Sequence, residues 1–177
     1  MQSATDSVQY SRSKKIALFG LFLAFMMIAG LLERFIPLDG LAPGMRLGLA
    51  NLAVVISLYL FSFRETLMLV IMKCLIMTLI SGNVIALAYS LSGSLASFTA
   101  MQILIRSKIA SPVGVSVAGA AFHNIAQIVV ARFILGTWAI ALYLPFLLVV
   151  GTVSGVLIGL LTKAVLPNLR RYLRLST

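Results

Sequence analysis

Six long apolar runs separated by short breaks dominate the chain, at approximately residues 16–36, 46–63, 65–82, 84–105, 112–135 and 138–162. A helix needs about 20 apolar residues, in a range of roughly 17–25, to cross the hydrocarbon core of a bilayer. Each run therefore predicts one crossing. The breaks carry the residues that end helices: Pro37, Gly40, Pro43 and Gly44 in the longest loop, Ser81-Gly82-Asn83 and Gly136-Thr137 in tight turns, and a basic loop from Arg106 to Pro112. Only Arg64-Glu65 marks the boundary between the second and third runs. Backbone polar groups in hydrocarbon must be satisfied within the segment, which makes the runs helices. They lack the alternating polarity of a β-barrel. The expected fold is all-α, a polytopic bundle of six transmembrane helices.

Met1 to Ser13 is polar and, with Arg12, Lys14 and Lys15, resembles the charged start of a signal peptide. The apolar run that follows, Ile16 to Leu32, is longer than the roughly 7–15 residues of a signal h-region, and no small-x-small cleavage site ends it. It is read as a retained helix. The expected organisation is a polar tail over 1–13, a six-helix membrane domain over 14–165 and a basic tail over 166–177.

Lys and Arg in short loops set orientation. A cytoplasmic N-terminus puts Arg12, Lys14, Lys15, Arg64, Arg106, Lys108, Lys163, Arg170, Arg171 and Arg174 on that side, against Arg34, Arg46 and Arg132 on the other. This bias predicts both termini cytoplasmic (N-in, C-in) in a cytoplasmic membrane. Composition agrees, with 61% hydrophobic and 10% charged residues among 177 and a mean hydropathy of +1.10. A soluble domain carries roughly 25% charged residues. The +10 net charge falls in clusters between apolar runs, so it points to the bilayer rather than to nucleic acid. Cys74 is the sole cysteine, which excludes an intrachain disulfide.

Helices in lipid associate through close contact of small residues. Gly151, Gly155 and Gly159 repeat every fourth residue on the last helix and predict a packing groove. Gly20 and Ala24, with Ala17 nearby, give the first helix a similar stripe, suited either to a neighbouring helix or to another subunit. The fourth run has Ala86, Ser90 and Ser94, with Gly93 and Ser97 on an adjacent stripe.

An ionisable group at membrane depth costs on the order of 2.5–3.5 kcal/mol on insertion scales and is by default a functional candidate. Lys73 lies near the middle of the third run; it either pairs with a Glu (the acidic groups in or near the membrane are Glu33, Asp39 and Glu65) or with helix-end carbonyls, or it holds an anionic ligand. His123, Asn124 and Gln127 fall within an arc of about 100° on the fifth helix and face one sector, with Arg132 following towards the outer end. Each wants partners in a low-dielectric setting, which points to a polar cavity. Arg46 and Asn51 flank the start of the second helix; Arg46 either sits among headgroups or, after a glycine-bearing turn, favours an anion at a helix N-terminus. Asn83 reads first as an N-cap. Together Arg46, Asn51, Lys73, Asn83, His123, Asn124, Gln127 and Arg132 suggest a site for a small polar or anionic ligand entering from outside.

There is no Walker A sequence, zinc motif, Gly-x-Ser-x-Gly elbow or paired-aspartate cluster, so neither catalysis nor a metal or other cofactor is expected.

The stretch Pro-Gly-Met-Arg-Leu-Gly-Leu-Ala-Asn-Leu at 43–52, the size, the six runs, the long first outer loop and His123-Asn124 resemble the Gx transporter family, also known as heptaprenyl diphosphate synthase component I, over roughly residues 14–165. That family is similar to the substrate-binding S components of energy-coupling-factor (ECF) transporters. The resemblance implies a six-helix S-component-like bundle that binds a micronutrient near the outer face and gates it with the first loop. It also implies a transmembrane coupling protein and two ATPase subunits as partners, docked through small residues of the first helix. Ala17, Gly20 and Ala24 form the matching patch, departing from the alanine-x-x-x-alanine form. The leading expectation is thus a solute-binding subunit of an uptake transporter. The alternative is an accessory membrane component of heptaprenyl diphosphate synthesis, which the family's second name suggests although aspartate-rich magnesium motifs are missing. The third is a structural assembly protein whose polar residues satisfy one another.

Overall fold

The computed structural model describes residues 12–35 and 48–175. The described residues form six α-helices: α1 (Arg12–Leu32), α2 (Leu49–Leu60), α3 (Phe63–Ser81), α4 (Val84–Ser107), α5 (Pro112–Leu135) and α6 (Leu144–Leu175). Short 3₁₀ turns, Glu33–Phe35 and Trp138–Tyr143, follow α1 and precede α6. Four stretches are long and apolar enough to cross a membrane: Arg12–Leu32, Val84–Ser107, Pro112–Leu135 and Trp138–Leu173. Large side chains such as Leu21, Ile28, Leu79, Ile103, Phe133 and Leu157 are exposed on the outside of the bundle. A surface of that kind is matched by lipid tails, and the protein is a membrane-embedded helical bundle.

The sequence places several boundaries correctly because the capping chemistry is local. Asn83 accepts from Ala86 N–H at 3.1 Å to start α4, and Ser111 accepts from Gly114 N–H at 3.3 Å ahead of Pro112. Gly82 and Gly136 end α3 and α5 in the left-handed conformation that glycine adopts without strain.

Three expectations change. The break between the second and third runs falls at Phe61-Ser62, not Arg64-Glu65. Ser62 caps α3, and its N–H donates to Glu65 at 2.9 Å in a capping box, which draws Arg64 and Glu65 into the first turn. The second helix covers 12 residues rather than the whole of 46–63. Gly48, at φ 78°, holds its start and the extended Phe61 its end. At 1.5 Å per residue α2 is about 18 Å long, short of a bilayer core of about 30 Å. The last helix runs beyond residue 162, through Pro167 and the segment read as a tail, to Leu175.

The short α2 is the hub. It packs against all five other helices, while α1, α3, α4, α5 and α6 follow one another around it and α2 closes the gap between α6 and α1. Ala53 to Leu58 are buried without interruption, as expected of a helix that is apolar on every side and has no free face. With Phe22, Leu69, Phe98, Met101, Val115 and Leu166, its lower half fills one end of the bundle. That end collects the N-termini of α1, α3 and α5 and the C-termini of α2, α4 and α6. Basic groups crowd it: Lys15 pairs with Glu65, the Arg106 guanidinium lies 5.4 Å over the Phe63 ring, and Arg170 donates to the Tyr59 carbonyl at 3.2 Å. The opposite end is hollow.

Candidate functional site

The hollow end holds a cavity of about 460 Å³ to which all six helices contribute. It is bounded by the last turns of α1, α3 and α5 and the first turns of α2, α4 and α6. Apolar residues, among them Ile128, Ile140, Leu147 and Ile158, line it together with the polar groups.

Contacts between helices fix the depth of each group. The His123 imidazole lies flat on Gly93 of α4, where a Cβ would come within 2.9–3.0 Å of three ring atoms. Ala120, one turn nearer the packed end on α5, also lines the cavity. One turn nearer the opening than Gly93, Ser90 Oγ donates to Cys74 Sγ at 3.3 Å, so the adjoining Lys73 sits level with Ser90. Gln127 occupies the same layer, one turn beyond His123 on α5. Asn124 crosses from α5 to α6 and donates to the Leu147 carbonyl at 2.8 Å, threading over Gly151, where a Cβ would lie 2.5 Å from its amide nitrogen. Near the opening stand Asn83, about 10 Å above Ser90 at 1.5 Å per residue, and Glu33, both lining the cavity. Glu33 is buried and accepts from the Leu49 N–H at the start of α2, bridging the two ends of the first long loop. Asn51, one turn on, reaches into the cavity beside Gly48.

Of the residues expected to bind substrate, Asn51, Lys73, Asn83, His123, Asn124 and Gln127 share this one cavity. Asn83 does so while also capping α4. Arg46 lies outside the described residues, as does most of the loop expected to act as a gate. Arg132 is not part of the lining. Its guanidinium packs 4.9 Å over the Trp138 ring, and its buried Nε has no hydrogen-bond acceptor among the described residues. The aromatic face, absent from a reading confined to α5, captures it after the turn at Gly136.

The glycine stripe of α6 meets α5. A Cβ on Gly155 would sit 2.8 Å from Val117 Cα, and Gly159 is as tightly placed against Val113. Ala17, Gly20 and Ala24 are exposed on the outer side of α1, with nothing within 4 Å of a Cβ on Gly20.

Glu33, Tyr89, Ser90 and Ser154 also line the cavity and were not among the candidates. Ser90 was grouped with a packing stripe, and the stripe divides: Ala86 and Ser90 face the cavity, while Ser94 turns to Cys74 at 3.5 Å. Glu33 had a visible signal, a carboxylate at the end of an apolar run, but its direction depends on the chain returning at Leu49.

The model of the family described as heptaprenyl diphosphate synthase component I matches residues 22–165, from within α1 to within α6. No curated protein and no solved structure matches the chain.

Proposed function

We propose that this chain, which belongs to the heptaprenyl diphosphate synthase component I family, is a solute-binding membrane subunit of an uptake transporter. The observation that carries the reading is the cavity of about 460 Å³ at one end of the bundle, lined by apolar residues and by convergent polar side chains, Asn51, Lys73, Asn83, His123, Asn124 and Gln127 among them. Cavities of roughly 300–1,000 Å³ with a few placed polar groups are the common form of small-molecule sites. In this reading the basic, tightly packed end faces the cytoplasm under the loop-charge bias, and the cavity opens outward. The exposed small patch of α1, Ala17, Gly20 and Ala24, supplies a flat surface for a coupling subunit, with energy coming from partner ATPases.

The test is ligand retention by the purified full chain in nanodiscs, followed by native mass spectrometry. Wild type is expected to carry a small molecule that His123→Ala and Asn124→Ala lose. Equal retention by both variants would remove the cavity as the binding site.

The family's description favours a second reading, an accessory membrane component of polyprenyl diphosphate synthesis. Its physical difficulty is size. At about 30 Å³ per water, 460 Å³ holds about fifteen water-sized groups, far fewer than a heptaprenyl chain presents. Co-purification of a soluble aspartate-rich synthase, rather than of ATPase subunits, would favour this second reading.

A further inference from the structure

The Asn124 amide has a fixed polarity. The Leu147 carbonyl oxygen lies 2.8 Å from it and can only accept. The amide atom facing that oxygen is therefore the NH₂ group, because the reversed amide would set two carbonyl oxygens against each other. Gly151 leaves room for this arrangement, since a Cβ there would lie 2.5 Å from Nδ2. Asn124 Oδ1 is the atom left over. It meets no donor among the described residues and is not sealed off by its neighbours, and Asn124 lines the cavity. The amide thus offers an acceptor, and no donor, to whatever occupies that space.

Gln127 stands three residues on, about 4.5 Å further along α5 and about 60° round it, and lines the same cavity. Its amide makes no hydrogen bond among the described residues, so it can turn to present either N–H or C=O. One α5 amide is fixed and the next is adaptable. A ligand oxygen or carboxylate set against Asn124 Oδ1 would repel it, and an apolar edge would leave it dehydrated and unpaired. An N–H satisfies it, and a carbonyl beside that N–H can accept from Gln127.

We propose that the cavity selects a small molecule with a lactam, urea or amide edge, its N–H donating to Asn124 Oδ1 and its adjacent carbonyl accepting from Gln127. The proposal rests on the solute-binding reading above and specifies its substrate class. Ile128 and Leu147 line the cavity beside the two amides, which suits one or two rings carrying that edge. Asn124 is then the residue that sets specificity, and the Leu147 carbonyl and Gly151 are what hold its oxygen towards the ligand.

Carbostyril and coumarin isolate the donor. The two fused-ring probes share an outline and a carbonyl, but carbostyril has a ring N–H where coumarin has a ring oxygen. Their binding to the full chain in nanodiscs is measured by equilibrium dialysis, with uptake by empty nanodiscs subtracted. In parallel, the small molecule released by denaturing wild-type protein is identified. Wild type is expected to bind carbostyril roughly tenfold or more tightly than coumarin. Asn124→Leu is expected to erase that ratio, whereas Gln127→Leu should weaken both probes and keep it. If Asn124→Leu fails to fold, the wild-type ratio decides alone. Equal binding of the two probes by wild type, or an unchanged ratio in folded Asn124→Leu, overturns the N–H assignment and leaves the solute-binding reading standing. Where neither probe binds, the released molecule decides: one with a lactam, urea or amide N–H upholds the assignment, and one without it overturns it. No bound probe and no released molecule overturns both.

Discussion

Replacing Gly151 by alanine puts a methyl group where the Asn124 amide lies, and the structure gives the consequence a size. The new Cβ would be 2.5 Å from Nδ2, nearly an ångström inside ordinary contact, while its next neighbours, Ala120 Cβ and O, are at 3.7 and 3.8 Å. The amide must swing away and lose its 2.8 Å bond to the Leu147 carbonyl. Overpacking costs about 1–3 kcal/mol and the lost hydrogen bond about 0.5–1.5 kcal/mol. Against this, alanine gains about 1 kcal/mol over glycine within a helix. Gly151→Ala is therefore expected to destabilise by roughly 1–3 kcal/mol and to displace a cavity-lining group. In an Asn124→Ala background the clashing atom is gone, and the same substitution should be neutral or stabilising by up to about 1 kcal/mol. The coupling in this double-mutant cycle is then about 1–4 kcal/mol. The assay is reversible unfolding in mixed micelles followed by circular dichroism. An equal cost of Gly151→Ala in both backgrounds would refute the argument, because the glycine would then serve helix packing alone.

Gly155→Ala meets backbone, with Val117 Cα 2.8 Å from the new atom, and should cost about 1–3 kcal/mol in the same assay. Gly20→Ala, with open space around it inside α1, should be neutral or stabilising by up to about 1 kcal/mol; equal effects of the two would sink the close-packing account. Trp138→Ala removes the aromatic face from Arg132 and should lose about 0.5–1 kcal/mol, most of it restored by Trp138→Phe; no change by circular dichroism would show the pair to be idle. Cys74, fully buried among Ser90 and Ser94, should react with a hydrophilic maleimide only after denaturation in dodecyl sulfate, and rapid labelling of the native chain would contradict its placement.

Features that depend on composition and on neighbours along the chain were legible before any fold was known. Six apolar runs in a chain with 10% charged residues require a bilayer, and Asn83, Gly82, Ser111 and Gly136 act within a turn of themselves. That His123, Asn124 and Gln127 face one sector also follows from helical spacing alone. Where that sector points was decided by tertiary contact: the His123 ring settles on Gly93, and the Asn124 amide crosses to Leu147. Arg132 shows the same limit from the other side, because Trp138, beyond a turn, offers it a closer partner than the cavity does. The length of α2 and the inward placement of Glu33 likewise depend on how the chain returns at Gly48 and Leu49. A helix's periodicity fixes the angles between its own side chains. The direction of the whole face in space is free until neighbouring helices close around it, and small residues such as Gly93, Gly151 and Gly155 set how close they come.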